Sequence, residues 1–431
     1  MARRKEKMIT ENGQSSSLRL FLKKSKDQEF NKRVSEFYAF IDGVRKNKNN
    51  SYFRLIDSEP GREVLVRDEH LDTTRKMLMF ASNNYLGLAS HPYVKEKVRS
   101  AVDKYGAGVG GPSILNGYTR LMNELEERLA DLKHQEDCLI FSTGYGTNLG
   151  MVSSLVKKND VIIYDSLSHA SFYDALKLTK ATPVKFKHND LDDLETKLKK
   201  YSQKSESTVF VCIEGVYSMD GDLAPLDRLI PLVKKYGAYC MLDDAHGTGV
   251  MGKKGSGTAE HFNCSSDIDI SMGTFSKTFA VTGGFVAAPK EVITYMRYFA
   301  RSYIFSASLP PMNLAAVHAG LDIIEKEPWL RKNLFENACY AFEKLNPYGL
   351  VTHPEAAIIA LKVPEWMDIR KANSMIHKRG IFLNAIEYPA VPVDQQRFRI
   401  SLMAQHTKED INKLESVIAE LWTSKHCEKF D

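Results

Sequence analysis

Two polar clusters hold the side chains best suited to chemistry. The first, Asp243-Asp244-Ala245-His246-Gly247-Thr248-Gly249, supplies carboxylates and an imidazole; the second, Gly273-Thr274-Phe275-Ser276-Lys277-Thr278-Phe279, supplies an amine. A lysine hemmed in by Phe275, Phe279 and small residues is poorly solvated, and desolvation lowers its pKa and makes it a usable nucleophile. The alternative is a strand-end lysine that snorkels outward. Each cluster follows an apolar strand, Ala238–Leu242 for the first and Ile268–Met272 for the second. In an open parallel sheet the ligand lies beyond the carboxyl ends of the strands, so both clusters face one crevice.

An amine that can form a Schiff base and a carboxylate that can sit against a ring nitrogen are the two groups pyridoxal phosphate needs, and Lys277 and Asp243 can fill those roles. The run Asp243 to Gly249 followed by Gly273 to Lys277 resembles the α-oxoamine synthases, a family of pyridoxal-phosphate enzymes, and the resemblance extends from about Phe80 to about Thr407. It implies an α/β chain of fold type I: a doubly wound, mainly parallel sheet with a smaller C-terminal α+β domain. Alternating apolar strands and helices argue independently for such a sheet. The expected divisions are a basic N-terminal arm with short strands (1–75), a large cofactor-binding domain (76–311) and a small C-terminal domain (312–431).

Other motifs follow the family's order. Asn83, in Asn83-Asn84-Tyr85-Leu86-Gly87-Leu88, matches an asparagine near the substrate carboxylate; Asn84 is one step away, and a turn asparagine capping the next helix is the plainer reading. The glycine-rich stretch Gly106–Gly117 is not a dinucleotide loop, because a charged helix from Leu121 to Lys133 follows it instead of a βαβ unit with an acidic ribose partner. Here many family members carry an arginine where this chain has Ser113 and a histidine where it has Met122. Ser142 to Asn148 follows a strand and opens a helix, where free N–H groups and small residues make a phosphate site. Gly144 and Tyr145 are the candidates there, with Thr274 and Ser276 closing from the other side.

His169, after the strand Val161–Tyr164, is by itself an ordinary hydrogen-bonded polar residue; the resemblance makes it the imidazole that stacks on the cofactor ring. The resemblance also places Ser218 near the cofactor's phenolic oxygen and Ser306 or Ser308 in a segment that crosses to a partner subunit's phosphate. His246 would orient Asp243 or bind incoming groups. Arg399, in Arg397-Phe398-Arg399, would bind a substrate carboxylate through its two-pronged guanidinium. Arg397 has a surface ion pair as its plainer role.

The chain has 431 residues, 43% of them hydrophobic, enough for more than one domain. No apolar run is long enough to span a bilayer and the N-terminus lacks the apolar segment of a secretory signal, so a cytoplasmic location is expected. Six scattered cysteines without a Cys-x-x-Cys pair indicate neither a zinc site nor a disulfide framework, and no metal is expected. Residues 1–50 hold 13 Lys and Arg against 6 Asp and Glu, a local +7 in a chain of net +5, so the body is near neutral and the arm basic. Within the arm Leu18, Leu20, Phe21 and Leu22 precede a Lys-rich turn, and Val34, Phe37, Tyr38, Ile41 and Val44 recur at helical spacing. A helix packed on a partner subunit is one reading of this arm. Contact with an anionic membrane surface or an acidic carrier protein is the other. No nucleic-acid partner is expected.

The implied reaction is a decarboxylative Claisen-type condensation of an amino acid with an acyl thioester of coenzyme A or a carrier protein, giving an α-amino ketone. Lys277 would remove the α-proton, and the family works as a homodimer. Gly215 to Leu226 and His246 to Gly249 look like 8-amino-7-oxononanoate synthase. Gly273 to Phe279, Gly283-Gly284-Phe285 and Arg397 to Thr407 look like bacterial serine palmitoyltransferase, the branch favoured here, with 2-amino-3-ketobutyrate ligase as a further alternative. An aminotransferase of the same fold and a non-catalytic scaffold subunit are the readings from other classes; a scaffold would be expected to lack the lysine, which is present.

Overall fold

Every residue of the strand Val209–Glu214 is buried, as a central parallel strand covered on both faces requires. A computed structural model describes Leu18, Phe21 and residues 29–48, 50–68, 73–203 and 207–423. Its main sheet has seven strands in the order Asp137–Phe141, Gly284–Ala288, Ile270–Thr274, Tyr239–Asp243, Val209–Glu214, Val161–Asp165 and Thr182–Phe186. Gly284–Ala288 runs antiparallel to both its neighbours; the other pairings are parallel. Both clusters therefore end neighbouring parallel strands, with Asp243 in register with Met272. The expected doubly wound α/β architecture is what the chain adopts.

The helix Pro311–Lys326 leads from this sheet to a three-stranded antiparallel sheet, in which Arg397–Ser401 lies between Ile358–Lys362 and Asn384–Ile386. All five residues of Arg397–Ser401 are buried, which places two arginines inside protein. Farther back in the chain, Glu63–Asp68 and Thr73–Met79 form a hairpin, and Ile381–Phe382 adds to Thr73–Met79 in parallel. The N-terminal strands are thus sheet neighbours of the C-terminal region. Phe80, Leu86, Val317, Ile358, Phe398 and Leu414 belong to one buried cluster, so this region and the large sheet share apolar packing.

In the arm, the helix Phe30–Lys46 buries only Phe40 and Val44, and leaves Phe30, Val34, Phe37 and Tyr38 exposed. Phe21 packs against it, its ring centroid 4.8 Å from that of Phe40. Leu20 and Leu22 lie outside the described residues. Among those residues no helix is long and apolar enough to cross a membrane.

Candidate active site

Lys277 follows the strand Ile270–Thr274 in a turn whose Ala280 N–H donates to the Lys277 carbonyl. Phe275 and Phe279 are fully buried on either side, their rings edge-to-face at 5.8 Å. The side chain keeps some accessible surface, yet protein surrounds its amine closely enough that desolvation lowers its pKa; Asp243 and Glu214 oppose that shift and Arg399 adds to it. The lysine is therefore not a snorkelling surface charge.

Asp243 is fixed from two directions. Asn148 Nδ2 donates to its Oδ2 at 2.7 Å, and the Ala245 N–H donates to its Oδ1 at 3.1 Å. Asn148 lies on the helix Gly144–Leu155, one turn beyond Gly144, so the helix that opens at the phosphate candidates also delivers the amide. Orienting Asp243 was one of the two roles expected of His246, and here it belongs to Asn148. His246 is instead held by Tyr85, whose hydroxyl lies 2.6 Å from Nδ1. Burial, then Lys277 and Arg399, keep the His246 imidazole well below its ordinary pKa, so it is neutral. The adjacent acid, Asp244, is structural: it pairs with buried Lys133 at 2.7 Å and accepts from Thr258 Oγ1 at 2.6 Å.

His169 caps the helix Ala170–Leu178 through its own ring, accepting from the Ser171 N–H, with Nδ1 2.7 Å from Ser171 Oγ. That contact fixes the ring plane while leaving the imidazole exposed. Crowding still lowers its pKa; Asp243 acts against that shift and Lys277 with it. Its ring centroid is 6.5 Å from that of Tyr145, which hydrogen-bonds Asp174. Ser171 Oγ also accepts from Asn148 Nδ2 at 2.9 Å, so His169 and Asp243 are tied through one asparagine.

Gly144 and Thr274 meet across the crevice, for a Cβ on Gly144 would come within 2.6 Å of Thr274 Oγ1. Thr274 Oγ1 is 3.0 Å from Ser276 Oγ, which places two hydroxyls against the helix start. The first N–H groups of a helix have no intrahelical acceptor and its dipole favours an anion there. Ser306 is half-buried on the segment beside this crevice, whereas Ser308 is buried and committed to Ser113 Oγ and the Gly117 carbonyl. Of the two serines, Ser306 is therefore the one able to reach outward. Ser113 Oγ also contacts Met122 Sδ at 3.6 Å, so the two departures from the family pattern touch each other.

Arg399 is 4% exposed, and its partners are all neutral. Nε donates to the Ser218 carbonyl at 2.5 Å, Nη1 to Ser401 Oγ at 2.9 Å and Nη2 to Asn83 Oδ1 at 3.1 Å. Asn83, Ser218 and Arg399, far apart in sequence, thus meet; Ser218 contributes its carbonyl to this contact. Arg397, expected in a surface ion pair, is instead buried, ion-paired with Asp220 and bonded to the Met219 carbonyl, because the loop that carries Asp220 packs over it, and it braces that loop. Asn84 Oδ1 accepts from the Ala89 N–H in the turn that follows, while the helix Pro92–Tyr105 has His91 at its N-cap and no side-chain cap, so Asn84 does not cap it; Asn83 is the residue beside Arg399. His188, Asp220 and Asp222 lie close enough to hold a cation, but Arg397 sits on Asp220 and both His188 nitrogens are committed to Asp165 and Asp222.

Asn148, Tyr85, Ser401 and Glu214 carried no sequence-based role. The only signal for the first two was their place in motifs, Asn148 at the end of Ser142–Asn148 and Tyr85 within Asn83–Leu88.

Residues 75–418 match the family model for aminotransferase class I and II. A putative 8-amino-7-oxononanoate synthase from Acetivibrio thermocellus is 43% identical over 87% of this chain and 95% of its own. A serine palmitoyltransferase from Bacteriovorax stolpii is 39% identical over 88% of each. The chain belongs to the α-oxoamine synthase family. Among solved structures, the serine palmitoyltransferase of Sphingomonas wittichii superposes with a TM-score of 0.86 at 30% identity, covering 92% of this chain and 99% of that one.

Like the rest of the α-oxoamine synthases, this acyltransferase depends on pyridoxal 5'-phosphate. The residues present fit that cofactor. Gly144 forms a cradle that a Cβ would fill, Asp243 is an oriented carboxylate, and Lys277 is a desolvated amine.

Proposed function

We propose that the protein condenses an amino acid with an acyl thioester, with loss of the amino acid's carboxylate, to give an α-amino ketone. The observation that carries this is Arg399, a buried guanidinium with no acid among its hydrogen-bond partners. A buried cation left without a counter-charge is costly, and a substrate carboxylate binding bidentately beside Asn83 would neutralise it.

The cofactor would be held by Gly144, Tyr145, Thr274 and Ser276 at its phosphate, by His169 over its ring, by Asp243 at its ring nitrogen and by Ser218 near its phenolic oxygen. When bound, it withdraws electrons from the substrate's α-carbon. Asp243, oriented by Asn148, would hold the proton on the ring nitrogen. Lys277, with its pKa lowered, takes the α-proton at Nζ. Tyr85 donates to Nδ1 of His246, which leaves the Nε2–H of that neutral ring as a donor to incoming groups.

We favour a serine palmitoyltransferase-like reaction in lipid (sphingolipid-type) synthesis. The 8-amino-7-oxononanoate synthase reading is supported equally by the relatives. A panel of serine, alanine and glycine against short and long acyl thioesters, scored by release of free thiol, tests both: no thiol release with any pair would overturn the condensation, and the preferred pair separates the branches.

A homodimer is proposed as the working unit. Leu115 is 79% and Phe305 73% exposed, on segments that pack together beside the crevice through the Ser308–Gly111 and Ser308–Gly117 hydrogen bonds, and a second subunit would cover them. Supported by unpaired cysteines among the described residues, we place the protein in the cytoplasm. The exposed aromatic face of Phe30–Lys46 and the arm's basic charge support contact with an anionic membrane or an acidic carrier. Deleting residues 1–25 should then weaken use of a carrier-bound or membrane-presented donor in a salt-dependent way. Equal rates with and without the deletion, at low and high salt, would remove that idea.

A further inference from the structure

Glu214 ends the strand next to Asp243, and the parallel register sets the two residues directly opposite each other. It is 5% exposed, and among the described residues no Lys or Arg forms a salt bridge with it. Like charges directly opposite on neighbouring strands repel, and a buried carboxylate without a cation is costly. Burial first, then Asp243, push the Glu214 carboxyl well above the ordinary carboxylate range, outweighing the attraction of Lys277 and a hydrogen bond from the His169 main-chain N–H. The other ionisable groups around it do not supply a positive charge: Asp165 ends the strand on its far side, and Tyr173 and Tyr217 are neutral phenols.

A cavity of about 10 Å³, room for roughly one water, lies below the strand ends and is lined by Asn148, His169, Glu214 and Asp243 among others. Two buried oxygens in that lining make no hydrogen bond, Asn148 Oδ1 and Glu214 Oε1. The Asn148 amide cannot turn over to help, because its nitrogen is already donated to Asp243 Oδ2 and Ser171 Oγ. Two acceptors cannot satisfy each other. A protonated Glu214 supplies the missing donor, directly or through one water.

We propose that Glu214 is a positioning residue kept as a neutral carboxylic acid, which donates towards Asn148 Oδ1 and so holds the asparagine amide on Asp243, leaving Asp243 the single anion at the ring-nitrogen position. The role in cofactor chemistry rests on the function proposed above. The protonation state does not, and can be read in the protein without cofactor.

A carboxyl that is neutral when folded and ionised when unfolded makes stability fall as pH rises above about 4.5. The test compares wild type, Glu214→Gln and Glu214→Leu by thermal unfolding from pH 5 to pH 8, without and with pyridoxal phosphate. Glu214→Gln, neutral at every pH and still a donor, should gain melting temperature relative to wild type progressively towards pH 8. A difference that is flat with pH, or that reverses sign, would mean Glu214 is ionised in the fold and would overturn the proposal. With pyridoxal phosphate bound, the pH at which its absorbance changes should stay near the wild-type value in Glu214→Gln and move in Glu214→Leu, where the donor is gone. Turnover should follow the same order, with Glu214→Gln ahead of Glu214→Leu by about tenfold, the scale of one hydrogen bond to a charged network. Equal spectra in both variants would remove the link to Asp243. Failure of the wild type to bind pyridoxal phosphate would instead sink the site reading and leave the unfolding comparison intact.

Discussion

The hydroxyl of Tyr85 lies 2.6 Å from Nδ1 of His246, and both side chains are buried. Burial pushes the Tyr85 phenol up to about 12, so it keeps its proton. Arg399, which can only donate, also hydrogen-bonds this oxygen, and the other acceptor, Asn83 Oδ1, is farther, at 3.4 Å, so the proton goes to the imidazole. Tyr85→Phe should release the ring to its other tautomer and lower kcat by roughly three- to tenfold, the worth of one buried hydrogen bond, while KM for the amino acid changes less. Steady-state kinetics would show this; unchanged kcat would mean the hydroxyl only fills space.

Lys277 is the sharpest single test of the chemistry. Lys277→Ala should abolish turnover, and the purified variant should lose the yellow colour of lysine-linked pyridoxal phosphate while still binding the cofactor through Gly144, Thr274 and Asp243. Absorbance spectra before and after dialysis against cofactor check both halves. Full activity in this variant would end the reading of the site.

The two arginines of the Arg397–Ser401 strand should separate cleanly in mutants. Arg399→Ala should raise KM for the amino acid on the order of 10- to 100-fold, because it removes a charge-assisted pair of hydrogen bonds. Arg397→Ala should instead destabilise the fold by about 3–5 kcal/mol, because it leaves Asp220 buried without its partner. Kinetics paired with thermal unfolding on the two variants distinguishes binding from bracing, and matching profiles for both would contradict it.

His188 links the Ser218–Asp222 loop to the sheet, with Nδ1 3.0 Å from Asp165 Oδ1 and Nε2 2.7 Å from Asp222 Oδ2. Burial opposes its charge, but the hydrogen bonds and attraction of the two aspartates outweigh that and raise its pKa to about 9. A folded pKa above the unfolded one of about 6.5 contributes stability that is complete below pH 6.5 and is lost as pH rises through 9. Allowing for solvent screening of a half-buried ring, the contribution is on the order of 1–2 kcal/mol. Unfolding midpoints at pH 6, 7.5 and 9 should fall more steeply for wild type than for His188→Gln, and parallel curves would contradict the assignment.

The sequence by itself determined the strand–polar-turn modules of this protein and the chemistry they carry. Apolar runs such as Val209–Ile213 and Ala238–Leu242 read as strands of a covered sheet, and polar clusters such as Asp243–Gly249 and Gly273–Phe279 then fall at the carboxyl ends of such strands. Only the tertiary structure decided which polar atoms meet. Asn148 reaches Asp243, Tyr85 reaches His246 and Arg399 reaches Asn83 across separations of 95, 161 and 316 residues, pairings that exist only once the sheet has fixed the order of its strands and the C-terminal strands have packed against it. For the same reason Arg397 read as a surface residue. Alternation along a strand tells which residues share a face, but whether that face meets water or an aspartate from another loop depends on what packs against it.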